Sequence, residues 1–161
     1  MANTFSLPKL DYIAKLLTML LGKEVSVSES TVGSKDLESA VAAGVYVDQQ
    51  ETPSALCVVD ISLASYAGAA LTMISAGVAK ESIKSGTLAE NLAENLYEVF
   101  NVCVAFFNQG DVPHIRFLDM YTTPPTLPPD VETLTTGDTG QLDVEVDIKG
   151  YGSGKMSLRA M

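Results

Sequence analysis

The sequence predicts an α+β fold in which helices pack on an antiparallel or mixed β-sheet. Three observations predict it. Leu142, Val144, Val146 and Ile148 alternate with Asp143, Glu145, Asp147 and Lys149, and beyond Tyr151-Gly152-Ser153-Gly154 the apolar Met156, Leu158 and Ala160 alternate with Lys155, Ser157 and Arg159. That period of two is the mark of a hairpin with one face on a core and one in water. Ala55 to Ile61 (ALCVVDI) is a nearly continuous apolar, β-branched run, as expected of a central strand covered on both faces. From Leu88 to about Asn108 the apolar residues Leu92, Leu96, Val99, Phe100, Cys103 and Phe107 recur at helical spacing instead.

The elements follow in order. Pro8 suits a first helical turn, Leu10, Ile13, Leu16, Leu17, Leu20 and Leu21 follow at helical spacing, and Gly22 stops the run. Lys23 to Ser30 alternates weakly and reads as a half-buried strand, and Ala40 to Gln49 becomes strand-like from Gly44 onward. After the Ala55–Ile61 strand, Ser62 is placed to cap a small-residue helix with Leu63, Ala67, Ala70, Leu71 and Ile74 on one side and Gly77 as its exit. Its alanines imply close approach to the sheet. Lys80 to Gly86 reads as a short polar connector, and Thr87 with Glu90 as a capping box for the long helix. Asn108-Gln109-Gly110 ends that helix, and His114 to Tyr121 is a strand.

The order is therefore one helix, three strands, two helices and at least three strands, an α+β arrangement. In the last hairpin, keeping apolar opposite apolar requires an odd number of loop residues, because a one-residue slip turns a whole face over. A five-residue loop would set Asp147 opposite Arg159, and a three-residue loop would set Glu145 there. Thr122 to Gly140, with four prolines within six residues, is expected to be an extended crossing or exposed arm. Residues 1–161 read as a single domain.

Composition narrows the function. Among 161 residues, 20 Asp and Glu face 10 Lys and Arg, a net charge of -10 with a pI near 4.4. No basic stripe is available to release counterions from a nucleic acid or to hold an anionic membrane. The apolar content of 47% is too high for disorder. The amino terminus fits an amphipathic helix better than a secretion signal, and no window reaches the roughly 20 apolar residues of a membrane span. Cys57 and Cys103 lie in apolar runs without C-x-x-C spacing, which suits small buried thiols in a reducing cytoplasm, although a single disulfide between them stays open.

Several familiar chemistries lack their residues. With one histidine, His114, a His-based zinc site has no ligand set, and its strand setting makes it an ordinary partly exposed residue. Neither G-x-x-x-x-G-K-[ST] nor G-x-G-x-x-G is present. Tyr151-Gly152-Ser153-Gly154 joins two strands and reads as a turn, and Asp143, Glu145 and Asp147 as a solvated sheet face. The polar side of the long helix is different. Asn91, Glu94, Asn95, Glu98 and Asn101 fall together opposite the apolar stripe, and Glu98 and Asn101, three residues apart, are neighbours on one face. A carboxylate there can pair with a partner's lysine, and a carboxamide can hold a water for attack without acting as a strong base.

The stretch LYEVFNVCVAFF, residues 96 to 107, resembles the active helix of the chemotaxis phosphatases of the CheC/CheX/FliY family. The preceding small-residue helix, its connector and the strand order extend the similarity over most of residues 8 to 121. In that family the glutamate and asparagine of an E-x-x-N motif act on a phosphorylated receiver-domain protein, CheY. The resemblance implies that Glu98 contacts the receiver's lysine and that Asn101 orients the water attacking the aspartyl phosphate. Glu94 and Asn95 are accessory candidates. It also implies that this chain binds no cofactor, with Mg²⁺ carried by the receiver. The first helix offers Asp11 but Ala14 three residues on, so at most one site is expected, as in the CheX branch, and a homodimer through sheet edges is a further expectation. Two features depart from the family pattern: bulky Tyr97 precedes Glu98, and Val102 to Ala105 carry no glycine. The alternative is a catalytically silent relative, an interaction or scaffold domain in chemotaxis or two-component signalling.

Overall fold

The computed structural model describes residues 7–30, 40–109, 114–122, 129 and 140–160, so the expected arm between Thr122 and Gly140 lies outside the described residues except at its ends and Pro129. Among the described residues six strands form one sheet: β1 (Val25–Glu29), β2 (Ala40–Val47), β3 (Pro53–Asp60), β4 (Arg116–Thr122), β5 (Gly140–Ile148) and β6 (Gly152–Ala160). Their order is β1-β5-β6-β3-β2-β4, and every neighbouring pair is antiparallel. The helices are α1 (Leu10–Leu21), α2 (Ile61–Leu71), α3 (Ala76–Ser85) and α4 (Glu90–Cys103), the last running into a 3₁₀ turn at Val104–Phe106. No described helix is long and apolar enough to cross a membrane.

Helices α1, α2 and α4 cover one face of the sheet. Ile13 and Leu17, Leu63 and Ala67, and Leu96, Val99 and Phe100 meet Tyr46, Cys57, Val146 and Leu158 in one core. The opposite face carries a second buried cluster, Ala43, Val45, Leu56 and Val58, with Tyr121 partly buried beside it. β3 is thus covered on both sides, as its unbroken apolar run requires. α1 ends where Gly22 takes φ 68° and returns its N–H to the Thr18 carbonyl, a conformation that costs glycine little.

The structure corrects the local reading in several places. The segment read as an exit and a polar connector is a separate helix, α3. Between it and α2, Met73 takes φ 60° and donates to the Ala70 carbonyl, while Ile74 donates to that of Ala69, the paired bonds of a Schellman stop. α3 escaped notice because only Ala79 and Ser82 are buried, too narrow a stripe to show as periodicity. The cap of α2 is Asp60, whose carboxylate accepts from the Leu63 N–H at 2.8 Å, rather than Ser62. The Thr87–Glu90 capping box does not form. α4 begins at Glu90, and the N–H of Ala89 donates instead to the Ser82 hydroxyl at 3.1 Å. α4 is also shorter than expected, ending at Cys103.

The β5–β6 loop has an odd length, but the turn comes earlier than expected. Ile148 faces Gly152, so Glu145 lies opposite Lys155 and Gln141 opposite Arg159. Leu142 still faces Leu158 and Val144 faces Met156, because any odd loop preserves the parity. Ser157 and Arg159 are not solvated. They pair with Val58 and Leu56 in the sheet interior, and Arg159 is 2% exposed. Burial lowers the pKa of its guanidinium and nearby Asp143 opposes that shift.

Candidate functional site

α4 is fixed on every side except its crown. Its inward stripe, Leu92, Leu96, Val99, Phe100 and Cys103, is buried. At about 1.5–3 kcal/mol for each large apolar side chain taken from water, this stripe is the main force holding the helix down. Two glycines bring the backbones close. A Cβ on Gly44 of β2 would lie 2.8 Å from Phe100 Cγ, and one on Gly68 of α2 would lie 2.5 Å from the Leu92 carbonyl oxygen. Any larger residue would push α4 outward.

Polar and aromatic contacts fix the remaining sides. On the α2 side, Asn95 Nδ2 donates to the Gly68 carbonyl and to Thr72 Oγ1, each at 2.8 Å. At the end of the helix the phenol of Tyr46 donates to the Phe100 carbonyl at 2.7 Å. This satisfies one of the carbonyls that a helix terminus leaves without a partner. On the β4 side, Tyr97 meets the ring of Phe117 edge-on at 4.9 Å, and Phe117 in turn packs on Tyr46 at 5.6 Å.

What remains open is a row of polar residues. Glu90, Glu94, Glu98 and Asn101 are all exposed. Glu98 and Asn101 make no hydrogen bond or ion pair with the described residues. The structure therefore separates the five polar residues read as one stripe. Glu94, Glu98 and Asn101 share the crown, whereas Asn95 is half-buried and spends its amide on joining α4 to α2. Asn91 is exposed and its side-chain Oδ1 accepts from the Leu92 N–H at 3.0 Å. A free carboxylate and a free carboxamide one turn apart on a clamped helix can receive a cation and orient a water on the same incoming surface.

Below the crown the titratable groups are neutral. Burial pushes the Tyr46 phenol and the Cys57 thiol well up, and pushes the Cys103 thiol up to about 12. Both cysteines are free and buried, which resolves the disulfide alternative. Neither is a nucleophile in this setting. His114 is exposed and lies just before β4 rather than within it. The Tyr151 hydroxyl donates to the Ile74 carbonyl at 2.7 Å, tying the hairpin turn to the α2–α3 junction. Asp147 accepts from Ser153 and Asp143 from Gln141. Among the described residues no group of three or more His, Cys, Asp or Glu is placed to hold a metal ion.

Sequence reading missed the groups that position the crown, namely Gly44, Gly68, Tyr46 and the Tyr97–Phe117 pair. Gly44 alone left a signal, since a lone glycine within a strand pattern marks a close backbone approach.

No protein-family model and no curated protein matches the sequence. Solved structures do. FliY from Thermotoga maritima superposes with a TM-score of 0.58 at 14% identity, over 91% of this chain and 81% of that one. The FliM middle domain from H. pylori gives 0.53 at 8% identity, over 94% and 84%. A CheX–CheY–BeF3–Mg²⁺ complex from Borrelia burgdorferi gives 0.51 at 12% identity, over 94% of this chain and 98% of the matched chain. These scores do not single out the CheX branch expected from a single E-x-x-N. This chain has the CheC/CheX/FliY-like fold, with no branch of it singled out.

Proposed function

We propose that this protein hydrolyses the aspartyl phosphate of a CheY-like receiver domain, with Glu98 docking to a lysine of the receiver and Asn101 orienting the attacking water. The observation that carries the reading is the exposure of Glu98 and Asn101 side by side on the crown of a helix whose half-buried carboxamide, Asn95, is tied down. A structural neighbour, CheX, was solved with CheY, BeF3 and Mg²⁺, and beryllofluoride has the shape and charge of a phosphoryl group.

Phosphoryl transfer asks little covalent chemistry of a protein and much positioning. The Asn101 carbonyl would accept a hydrogen from water and hold its lone pair toward phosphorus, which lowers the entropic part of the barrier without a strong base. The Glu98 carboxylate would form a charge-assisted hydrogen bond that fixes the register of docking. Mg²⁺, held by the receiver, would supply charge neutralisation at the phosphoryl oxygens.

The test is phosphate release from phosphorylated receiver domains of the same genome in Mg²⁺, with and without this protein. Acceleration is expected. Asn101→Ala should lower kcat about 100-fold or more with a small change in KM, while Glu98→Ala should raise KM as well. Absence of acceleration with every receiver overturns the proposal. A second reading, a silent interaction domain, draws on other neighbours of the same fold: FliM of H. pylori has been solved with FliG and with SpeE. It predicts a complex that is indifferent to phosphorylation.

A further inference from the structure

We infer that Tyr97 is a specificity-determining contact at the rim of this site, a ring anchor that meets the same partner surface from which Glu98 receives its cation. The inference rests on the proposed docking of a receiver to the α4 crown and adds the residue that selects among receivers.

Tyr97 lies one helical turn before Asn101, on the same face, and directly precedes Glu98 in the chain. It is 44% exposed, one of few large apolar side chains that the described surface presents. Its phenol makes no hydrogen bond with the described residues. Exposure alone would mean little. The support beneath it is the informative part. Tyr97 stands edge-on to Phe117 at 4.9 Å and 66°. Phe117 rests on Tyr46 at 5.6 Å, and Tyr46 packs on Phe107 at 5.1 Å.

Phe117 reaches that position through an irregularity in the edge strand. Val45 pairs with Asp119 and Tyr46 with Phe117, leaving Leu118 as an extra residue. The bulge turns Phe117 and Met120 to the helix side, where both pack on the main core. An exposed ring braced by a buried aromatic stack loses little freedom on binding, the property that makes tyrosine effective in interface anchors. The charge around it selects the occupant. Glu90, Glu94 and Glu98 line the crown at four-residue spacing and are all exposed, so the fitting partner is a receiver surface with a cation bordered by apolar side chains.

Binding and turnover measured separately test this. Receiver domains of the same genome, loaded with beryllofluoride and Mg²⁺, are titrated with wild type, Tyr97→Ala and Tyr97→Phe, and phosphate release is followed with the phosphorylated forms. Tyr97→Ala should weaken affinity and raise KM about tenfold, with kcat held within about twofold, and Tyr97→Phe should stay within about twofold of wild type in all three. Unchanged affinity in Tyr97→Ala, or a fall in kcat at constant KM, overturns the inference and leaves the roles of Glu98 and Asn101 standing. A loss in Tyr97→Phe equal to that in Tyr97→Ala overturns the ring as the anchor. A complex that depends on Tyr97 but releases no phosphate supports the anchor and overturns the phosphatase reading alone. Wild type that binds no receiver overturns both.

Discussion

Glu98→Gln should make the folded protein more stable while weakening its grip on a partner. Glu98 is exposed, has no basic neighbour among the described ion pairs, and lies one turn after Glu94. Like charges at that spacing oppose the helix by about 0.2–0.5 kcal/mol. It also sits just before the final turn, Phe100 to Cys103, where the negative end of the helix dipole disfavours an anion. That effect is about 0.3–1 kcal/mol within the last turn, and two residues short of it the low end applies. Glutamine has nearly the same helix propensity as glutamate, so the gain should be about 0.5–0.8 kcal/mol. The assay is urea unfolding at low and high salt. The midpoint should rise in the variant at low salt with the slope unchanged, and most of the gain should vanish at high salt, where the Debye length contracts to about 3 Å at 1 M. A variant less stable than wild type at low salt would refute the reasoning, because it would mean that Glu98 stabilises its own fold.

Tyr46→Phe removes the donor to the Phe100 carbonyl and leaves that buried oxygen unpaired. It should cost about 1–3 kcal/mol in urea unfolding, and it should lower kcat more than it raises KM, since Asn101 lies in the turn so anchored. Gly68→Ala would drive a methyl group against the Leu92 carbonyl and should destabilise by about 1–3 kcal/mol, with receiver affinity falling as α4 shifts. The buried thiols give a pH signature. Their pKa is raised on folding, to about 12 for Cys103, so the stabilising contribution is complete below the unfolded thiol's pKa and is lost as pH rises toward the folded value. Chemical unfolding across alkaline pH checks this, and labelling by a thiol reagent in native buffer should run no faster than local or global opening.

What was legible in the sequence follows from how many residues each feature needs. The β5–β6 hairpin and the apolar stripe of α4 repeat one rule over many positions, so a few exceptions do not hide them. β3 showed itself by having no polar face at all. By contrast α3 buries two residues and leaves no period to detect. Caps failed for a related reason. Asp60 as the cap of α2 and Ser82 as the acceptor for Ala89 are set by where strand and helix ends meet in space, which spacing cannot report. Arg159 was assigned to water by alternation alone. Alternation gives the face, and only the burial of its neighbours Leu56 and Val58 on β3 shows that this face is covered. At the site, Glu98 and Asn101 could be placed on one face by arithmetic, but Asn95 sits on the margin of that face. The helix beside it decided that it would become a tie.

The fold cannot choose the partner, because chains with this architecture have been solved with CheY, with FliG and with SpeE. The choice must come from surface groups, and on α4 these divide by energy. Tyr46, Asn95, Gly44 and Gly68 all hold the helix in place, and each occupies a position that tolerates few alternatives. Glu94 and Glu98 do the reverse, adding repulsion that a lysine at either position would relieve. A surface that gives up local stability on a rigid support is what function at that surface requires, since groups pre-set in place need no rearrangement when the partner arrives. Asn101 fits the same logic. Its amide, exposed and unbonded among the described residues beside the turn that Tyr46 anchors, contributes little to folding. In the proposed reaction its role depends on a water and a phosphoryl group brought to it from outside.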